Sequence, residues 1–393
     1  MLGRRRWMKA MGAATLTAAA PTLTRARQSD LVTLFLCGDV MTGRGIDQVL
    51  PHPSDPRIYE SYAKTALDYV RLAESKNGSI TKPVEYAYIW GAALGELERR
   101  APDVRVINLE TSVTKHDEPA PKGINYRMSP ENVPCITVAG IDCCVLANNH
   151  VLDWGRAGCL ETLDTLHAAR IKASGAGRDA TQAASPAIIP TAQGRVLVFG
   201  FGSVTSGIPR AWAATAAKPG INVLRDLSDH AARHIAQQVR AARRDNDIVV
   251  ASIHWGGNWG YQIPSEQRAF AHKLIDDASV DIVHGHSSHH AKGIEIYREK
   301  LILYGCGDFI NDYEGISGHR SYRGDLALMY FPTIDTATRK LVRLELTPLQ
   351  MKRFQLQRAT RKDAAWLRNT LAREGRALGT TVTLTEDNNL RVW

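Results

Sequence analysis

Six stretches of the chain end an apolar run in a carboxylate, an amide or an imidazole. Asp39 follows LVTLFLCG; Asn108 and Glu110 close VRVINLE; Asn148, Asn149 and His150 follow IDCCVLA. His254 closes IVVASIH; His284 and His286 close VDIVHGH, with His289 and His290 just beyond; Asp308 follows ILYGCG. Carboxylates, an amide oxygen and neutral imidazoles together suit a divalent transition ion such as zinc, manganese, iron or nickel better than calcium, which takes oxygen ligands. Taken singly, each stretch also has a plain structural reading: Asn and Asp are ordinary turn and cap residues, and a histidine tract can be a surface feature. The densest block is IDCCVLANNHVLDWGRAG, residues 141 to 158, which delivers Asn148, Asn149, His150 and Asp153 to the loop before a helix expected from about Arg156. An amide oxygen and an imidazole this close together can hold a metal or a phosphate. Asn148, Asp153 and Trp255 are the candidate substrate contacts, and Gly256 and Gly257 after Trp255 would let a ligand approach the backbone.

Buried strands separated by helices must position these groups. The pattern predicts strands at 31 to 37, 104 to 108, up to Ala147, near 171 to 173, 186 to 190, 195 to 201, up to His254 and up to His286, then 324 to 332 and 339 to 347. Helices are expected over 88 to 100, 131 to 139, 156 to 170, 228 to 244, 265 to 279 and 362 to 375, with a surface flap at 115 to 130 and a terminal hairpin through Asn388 and Asn389. In helix 228 to 244, Ala231, Ile235, Val239 and Ala242 mark the apolar face. Strands alternating with helices predict an α/β domain, and ligands in such sheets sit at the strand ends.

With 393 residues and 44% hydrophobic content, the chain can bury a large core. The net charge of +9 lies largely toward the two ends and forms no basic stripe interleaved with aromatics, so no nucleic-acid partner is expected. The six cysteines contain no CxxC pair, and those in apolar strand-like runs read as buried free thiols. Arg4, Arg5 and Arg6, followed by an Ala-rich weakly apolar run, resemble a bacterial twin-arginine export signal over residues 1 to 28. That predicts a periplasmic or extracellular protein and leaves membrane anchoring open.

GDVM at 38 to 41, NLETSVT at 108 to 114, ANNHVLDWG at 147 to 155, HWGGNW at 254 to 259, GHSSHH at 285 to 290 and ILYGCGDFINDY at 302 to 313 together resemble the CapA family of poly-γ-glutamate capsule biosynthesis proteins. The domain of that family is similar to the calcineurin-like metallophosphoesterases. The resemblance implies a metallophosphatase-like β-sandwich flanked by helices over residues 29 to 348, with a small C-terminal α+β element over 349 to 393. It further implies that Asp39 and His289 serve one metal, that Asn149, His254 and His286 serve a second, that Glu110 bridges them, and that His150 acts as general acid or orients a phosphoryl group. The metal would be one or two divalent ions of manganese, zinc or iron. Three departures stand out: Met41 occupies a position where that superfamily has histidine, the bridging residue is Glu, and Asp308 stands where the family usually has Asn. A thioether is a poor substitute for imidazole toward such ions.

Two functions follow from the resemblance. One is an exported metal-dependent hydrolase or transferase acting on a phosphoester or a γ-glutamyl amide. The other is a non-catalytic capsule assembly or export subunit that binds an anionic polymer, or capsule-synthesis membrane proteins, in the same pocket.

Overall fold

The structure is a computed structural model and describes residues 30–316 and 318–393. The export signal expected at 1 to 28 lies outside the described residues. Strand Leu31–Val40 shows how the layers arise. Val32, Leu34 and Leu36 face one apolar cluster, while Phe35 and Cys37 face another. Side chains alternate across a strand, so a run that is apolar at every position must be covered on both faces.

Two sheets supply that cover for each other. The first has ten strands, in the order Val382–Leu384, Leu390–Val392, Leu341–Lys352, Leu326–Asp335, Leu31–Val40, Val104–Leu109, Cys143–Val145 and Lys172–Ser174, with Asp308–Ile310 and Gln355–Arg358 pairing off this path. From Leu31–Val40 to Lys172–Ser174 the pairing is parallel. The second sheet has seven strands, and its centre, Gly194–Ser203, Ile248–His254, Ile282–His286 and Lys300–Leu303, is parallel throughout. One buried cluster draws on both: Val32, Leu34, Val104, Val106 and Val145 from the first sheet, Val196, Val250, Ile282 and Leu303 from the second. The sheets therefore pack face to face.

Helices cover the outer faces. Leu67–Asn77, Ala92–Arg100 and Gly155–Ala168 send Val70, Leu97 and Leu166 against the first sheet. Asp229–Ala242 and Ser265–Asp276 send Ile235, Val239, Phe270 and Leu274 against the second. The result is the expected α/β sandwich flanked by helices. The C-terminal hairpin extends the first sheet by pairing Leu390–Val392 with Leu341–Lys352.

Several element boundaries differ from the sequence reading. The helix expected over 88 to 100 is a 3-10 turn, Tyr88–Trp90, and a helix, Ala92–Arg100, broken at Gly91. Gly91 has φ +44, and a Cβ there would lie 2.2 Å from the Leu356 carbonyl oxygen. Over 131 to 139, prolines 130 and 134 start two short turns, Pro130–Asn132 and Pro134–Thr137, rather than one helix. The strand expected up to Ala147 pairs only over Cys143–Val145. Helix Leu67–Asn77, hidden in a stretch that reads as loop, was not expected. All six cysteines are buried and free. No helix among the described residues is long and apolar enough to cross a membrane.

Candidate metal centre

The faces that meet between the sheets change character at the carboxyl ends of their strands. On Ile248–His254 the inward positions run Ile248, Val250, Ser252, His254; on Ile282–His286 they run Ile282, His284, His286; on Val104–Leu109 they run Val104, Val106, Asn108. Each begins aliphatic and ends polar. Register aligns those ends, with His254 opposite His286, and Asp39 opposite both Asn108 and Asp308. An irregularity in pairing falls between Leu36 and Asp39. Gly38 is required beside it, because a Cβ there would stand 1.6 Å from the Gly307 carbonyl oxygen. That close approach lets the Asp39 N–H donate to the same oxygen, at 3.0 Å.

The structure brings together side chains that lie up to 269 residues apart. Asp39 Oδ1 is 3.9 Å from His286 Nδ1. Glu110 Oε1 is 3.7 Å from His254 Nε2 and 3.7 Å from His150 Nε2. Asn149 Oδ1 is 2.9 Å from His254 Nε2. Asp39, His254 and His286 each offer a ligand atom within 4.8 Å of the others, and so do Asp39, His289 and Asp308. Asp39 is thus common to both groups, while Glu110 borders the first of them. All of these side chains are buried except Asn149, which is partly exposed. Glu110 Oε2 is buried with no hydrogen-bond partner among the described residues. A buried carboxylate oxygen left in that state is costly unless a cation meets it, so the donor set fits a divalent ion.

Electrostatics point the same way. Burial, and next the neighbouring Asp308 carboxylate, push the Asp39 pKa up to about 7, against opposing help from His289 and Asn108. Burial and then Asp39 raise Glu110 well above the usual carboxylate range. His254 and His286 are held neutral by burial, then by neighbouring histidines. For His289 burial opposes charge, but the Asp308 carboxylate, hydrogen-bonded to its Nδ1 at 2.8 Å, prevails and raises the pKa. Without a cation, then, Asp39 and Glu110 hold their protons more tightly than ordinary carboxyl groups.

His150 is held from behind. Its Nδ1 is 2.6 Å from Asp153 Oδ2, and its Nε2 is left facing Glu110. Burial lowers its pKa to about 4 despite Asp153, so Nδ1 carries the proton and Nε2 the lone pair near neutrality.

Three expected substrate contacts have other work. Trp255 follows His254 on the strand and so points to the opposite face, where it is buried in the helix-covered core and donates its Nε1–H to Tyr304 O at 3.0 Å. Asn148 is fully buried. Its Nδ2 donates to Leu109 O at 2.8 Å and its Oδ1 accepts from the His150 and Val151 N–H groups, both at 3.1 Å, which shapes the loop. Asp153 is also fully buried and meets His150, Lys122 and the Tyr126 N–H. Gly256 serves its turn at φ +78, where an added Cβ would meet the Gln267 side chain at 2.8 Å.

Two contributors were not picked out from sequence. Lys122, on the flap, donates to Asp153 Oδ1 at 2.7 Å and to the Asn149 carbonyl, and lies 3.4 Å from His150 Nδ1. Ser287, at φ +96, donates its N–H to Asp39 Oδ2 at 3.1 Å. Asp308, read from sequence as a turn or an added charge, lies within the cluster. Met41 is buried, with its Sδ 3.5 Å from the Tyr313 hydroxyl.

The description "Bacterial capsule synthesis protein PGA_cap" matches residues 33–313. A probable polyglutamine synthesis accessory protein of Mycobacterium tuberculosis is 48% identical over 366 residues, covering 92% of this chain and 96% of that protein. The PGA biosynthesis protein CapA of Bacillus subtilis is 27% identical over 325 residues, covering 82% of this chain and 72% of that one. The capsule biosynthesis protein CapA of Bacillus anthracis is 24% identical over 286 residues, covering 73% and 61%. Among solved structures, one described as a novel phosphatase from Mycoplasma pneumoniae matches with a TM-score of 0.44 at 12% identity, covering 81% of this chain and 94% of that one.

Proposed function

Since this chain belongs to the bacterial capsule synthesis protein family PGA_cap, we propose that it is an exported accessory protein of poly-γ-glutamate or related envelope-polymer synthesis. In this reading the Asp39 pocket holds one or two divalent ions, of manganese, zinc or iron, and hydrolyses or transfers a phosphoester or a γ-glutamyl amide. The observation that carries the reading is the buried gathering of Asp39, Glu110, His254, His286, His289 and Asp308 around an unpartnered Glu110 oxygen. Asn149, His254, His286 and Glu110 would hold one ion. His289 and Asp308 would hold the other, with Asp39 shared; Asp308 then supplies the donor that Met41 does not.

Ions bound there would lower the pKa of a water and polarise a phosphoryl or carbonyl oxygen. The chain's own groups do the rest. His150, fixed by Asp153, presents Nε2 to the pocket as the atom that takes up and returns a proton. Lys122 places a positive charge on the same rim, suited to an anionic polymer or a phosphoester. Twin-arginine export to the periplasm or beyond, and contact with capsule-synthesis membrane proteins, complete the proposal.

The test is elemental analysis of the purified protein, followed by phosphodiesterase and γ-glutamyl hydrolase assays of wild type and His150→Ala. Stoichiometric metal, with turnover abolished by the substitution and metal content unchanged, is expected. Glu110→Gln is expected to lower metal occupancy. Absence of metal at every loading condition refutes the reading, and bound metal without turnover of either substrate class assigns the chain to polymer binding and assembly instead.

A further inference from the structure

Behind the imidazoles that face the pocket runs a file of hydrogen bonds with no use in the chemistry above. His284 Nε2 is 2.7 Å from the Cys37 carbonyl oxygen. His284 Nδ1 is 3.0 Å from Ser252 Oγ, which is 2.9 Å from His286 Nε2. His286 Nδ1 is 2.8 Å from His254 Nδ1. The file thus ties the strand that carries Asp39 to both imidazoles expected to serve one ion.

From the Cys37 carbonyl to His254 Nδ1, four contacts share four protons when the three rings are neutral, and one arrangement satisfies all four. A carbonyl oxygen can only accept, so His284 carries its proton on Nε2 and its Nδ1 is an acceptor. Ser252 must then give its single hydroxyl proton to His284, and its oxygen accepts from His286 Nε2–H. His286 Nδ1 is left as a lone pair on the side where Asp39 Oδ1 lies 3.9 Å away. His254 consequently donates Nδ1–H to it, which leaves an unprotonated Nε2 beside the Asn149 side-chain amide at 2.9 Å and Glu110 Oε1 at 3.7 Å. The half-exposed amide can turn to offer its Nδ2–H there, whereas the Cys37 main-chain carbonyl can only accept, so the file runs from the carbonyl end. His284 is fully buried, and no carboxylate pairs with it among the described residues; burial accordingly lowers its pKa to about 4.

We propose that Ser252 and His284 are positioning residues that lock His286 and His254 in the tautomers whose Nδ1 and Nε2, respectively, are unprotonated. The functional consequence rests on the metal-centre reading, whereas the tautomers themselves can be read in the metal-free protein. Partners that fix the far nitrogen of a ligating imidazole commonly alter metal affinity by about 10 to 100-fold when removed.

Long-range proton–nitrogen NMR of histidine-labelled, chelator-treated protein reports which nitrogen of each ring is protonated. Wild type is expected to show His286 as the Nε2–H form and His254 as the Nδ1–H form. Ser252→Ala should yield mixed tautomers at His286 and weaken manganese or zinc binding, measured by chelator competition, by about 10 to 100-fold. Ser252→Thr keeps the hydroxyl and should restore both readouts. A wild-type His286 protonated on Nδ1, or Ser252→Ala with unaltered tautomers, overturns the proposal. Expected tautomers in a protein that binds neither ion uphold the lock and refute the metal-centre reading instead.

Discussion

Asp39→Asn is expected to make the metal-free protein more stable at alkaline pH while abolishing its metal-dependent stabilisation. A carboxyl group whose pKa stands at about 7 in the folded chain and at 3.8 ordinarily destabilises the native state by about 4 kcal/mol once fully ionised. The folded pKa is the higher of the two, so the native state binds the extra proton between about pH 4 and pH 7. The penalty therefore grows as pH rises through that window and is absent below it. Against the gain stands one hydrogen bond. Asp39 accepts from Asn108 Nδ2 at 2.7 Å and from the Ser287 N–H at 3.1 Å, and a side-chain amide keeps only one accepting atom, a loss of about 1 kcal/mol. The substitution should therefore stabilise chelator-treated protein by about 3 kcal/mol at pH 8 and by less than about 1 kcal/mol at pH 5. Guanidinium titrations of both proteins at the two pH values measure the difference, and repeating them with saturating manganese or zinc should reverse the order. An Asp39→Asn protein no more stable than wild type at pH 8, or a difference that ignores pH, would show that the buried carboxylates do not crowd one another as described.

Gly38→Ala should be far more damaging than its single methyl suggests. The added carbon would sit 1.6 Å from a main-chain oxygen of Gly307, so loss of about 3 kcal/mol or more in unfolding free energy, read from denaturant titration, together with lost metal binding, is expected; a fully stable variant would contradict the close approach. The thiols offer a simpler check. All six are buried, and burial raises the pKa of every one, so a thiol-specific chromogenic reagent should label none in the native protein and six after unfolding.

The strand ends were legible from the residues because a parallel strand covered on both faces leaves an unbroken apolar run, and the first polar residue after it marks the rim. Asp39, Glu110, Asn149, His254, His286 and His289 all stand at such ends. What the run conceals is direction. His254 and Trp255 are neighbours in sequence, yet a period of two sends one toward the other sheet and the other toward the helices; counting inward positions from Ile248 would have separated them. Asn148 and Asp153 shape a loop through their hydrogen bonds, a role the sequence does not separate from reaching a ligand, because a side chain that caps and one that binds are of the same types. Lys122 carries no local mark at all: its place depends on how the 115 to 130 flap folds back over Asp153. The break at Gly91 belongs with these, since what forbids a side chain there is the distant Leu356 carbonyl.

The side chains of the centre come from both sheets. Asp39, Glu110, Asn149 and Asp308 hang from the first, and His254, His286 and His289 from the second, while the interior that joins the layers elsewhere is greasy and without direction. An ion bridging the two groups would consequently be a clasp on one rim of a two-leaved book, and undoing it would free that rim alone. On removal of such an ion, amide exchange should speed up first at the carboxyl ends of the central strands and leave their amino ends protected, so that a tool for reading backbone opening would register its binding without any assay of turnover.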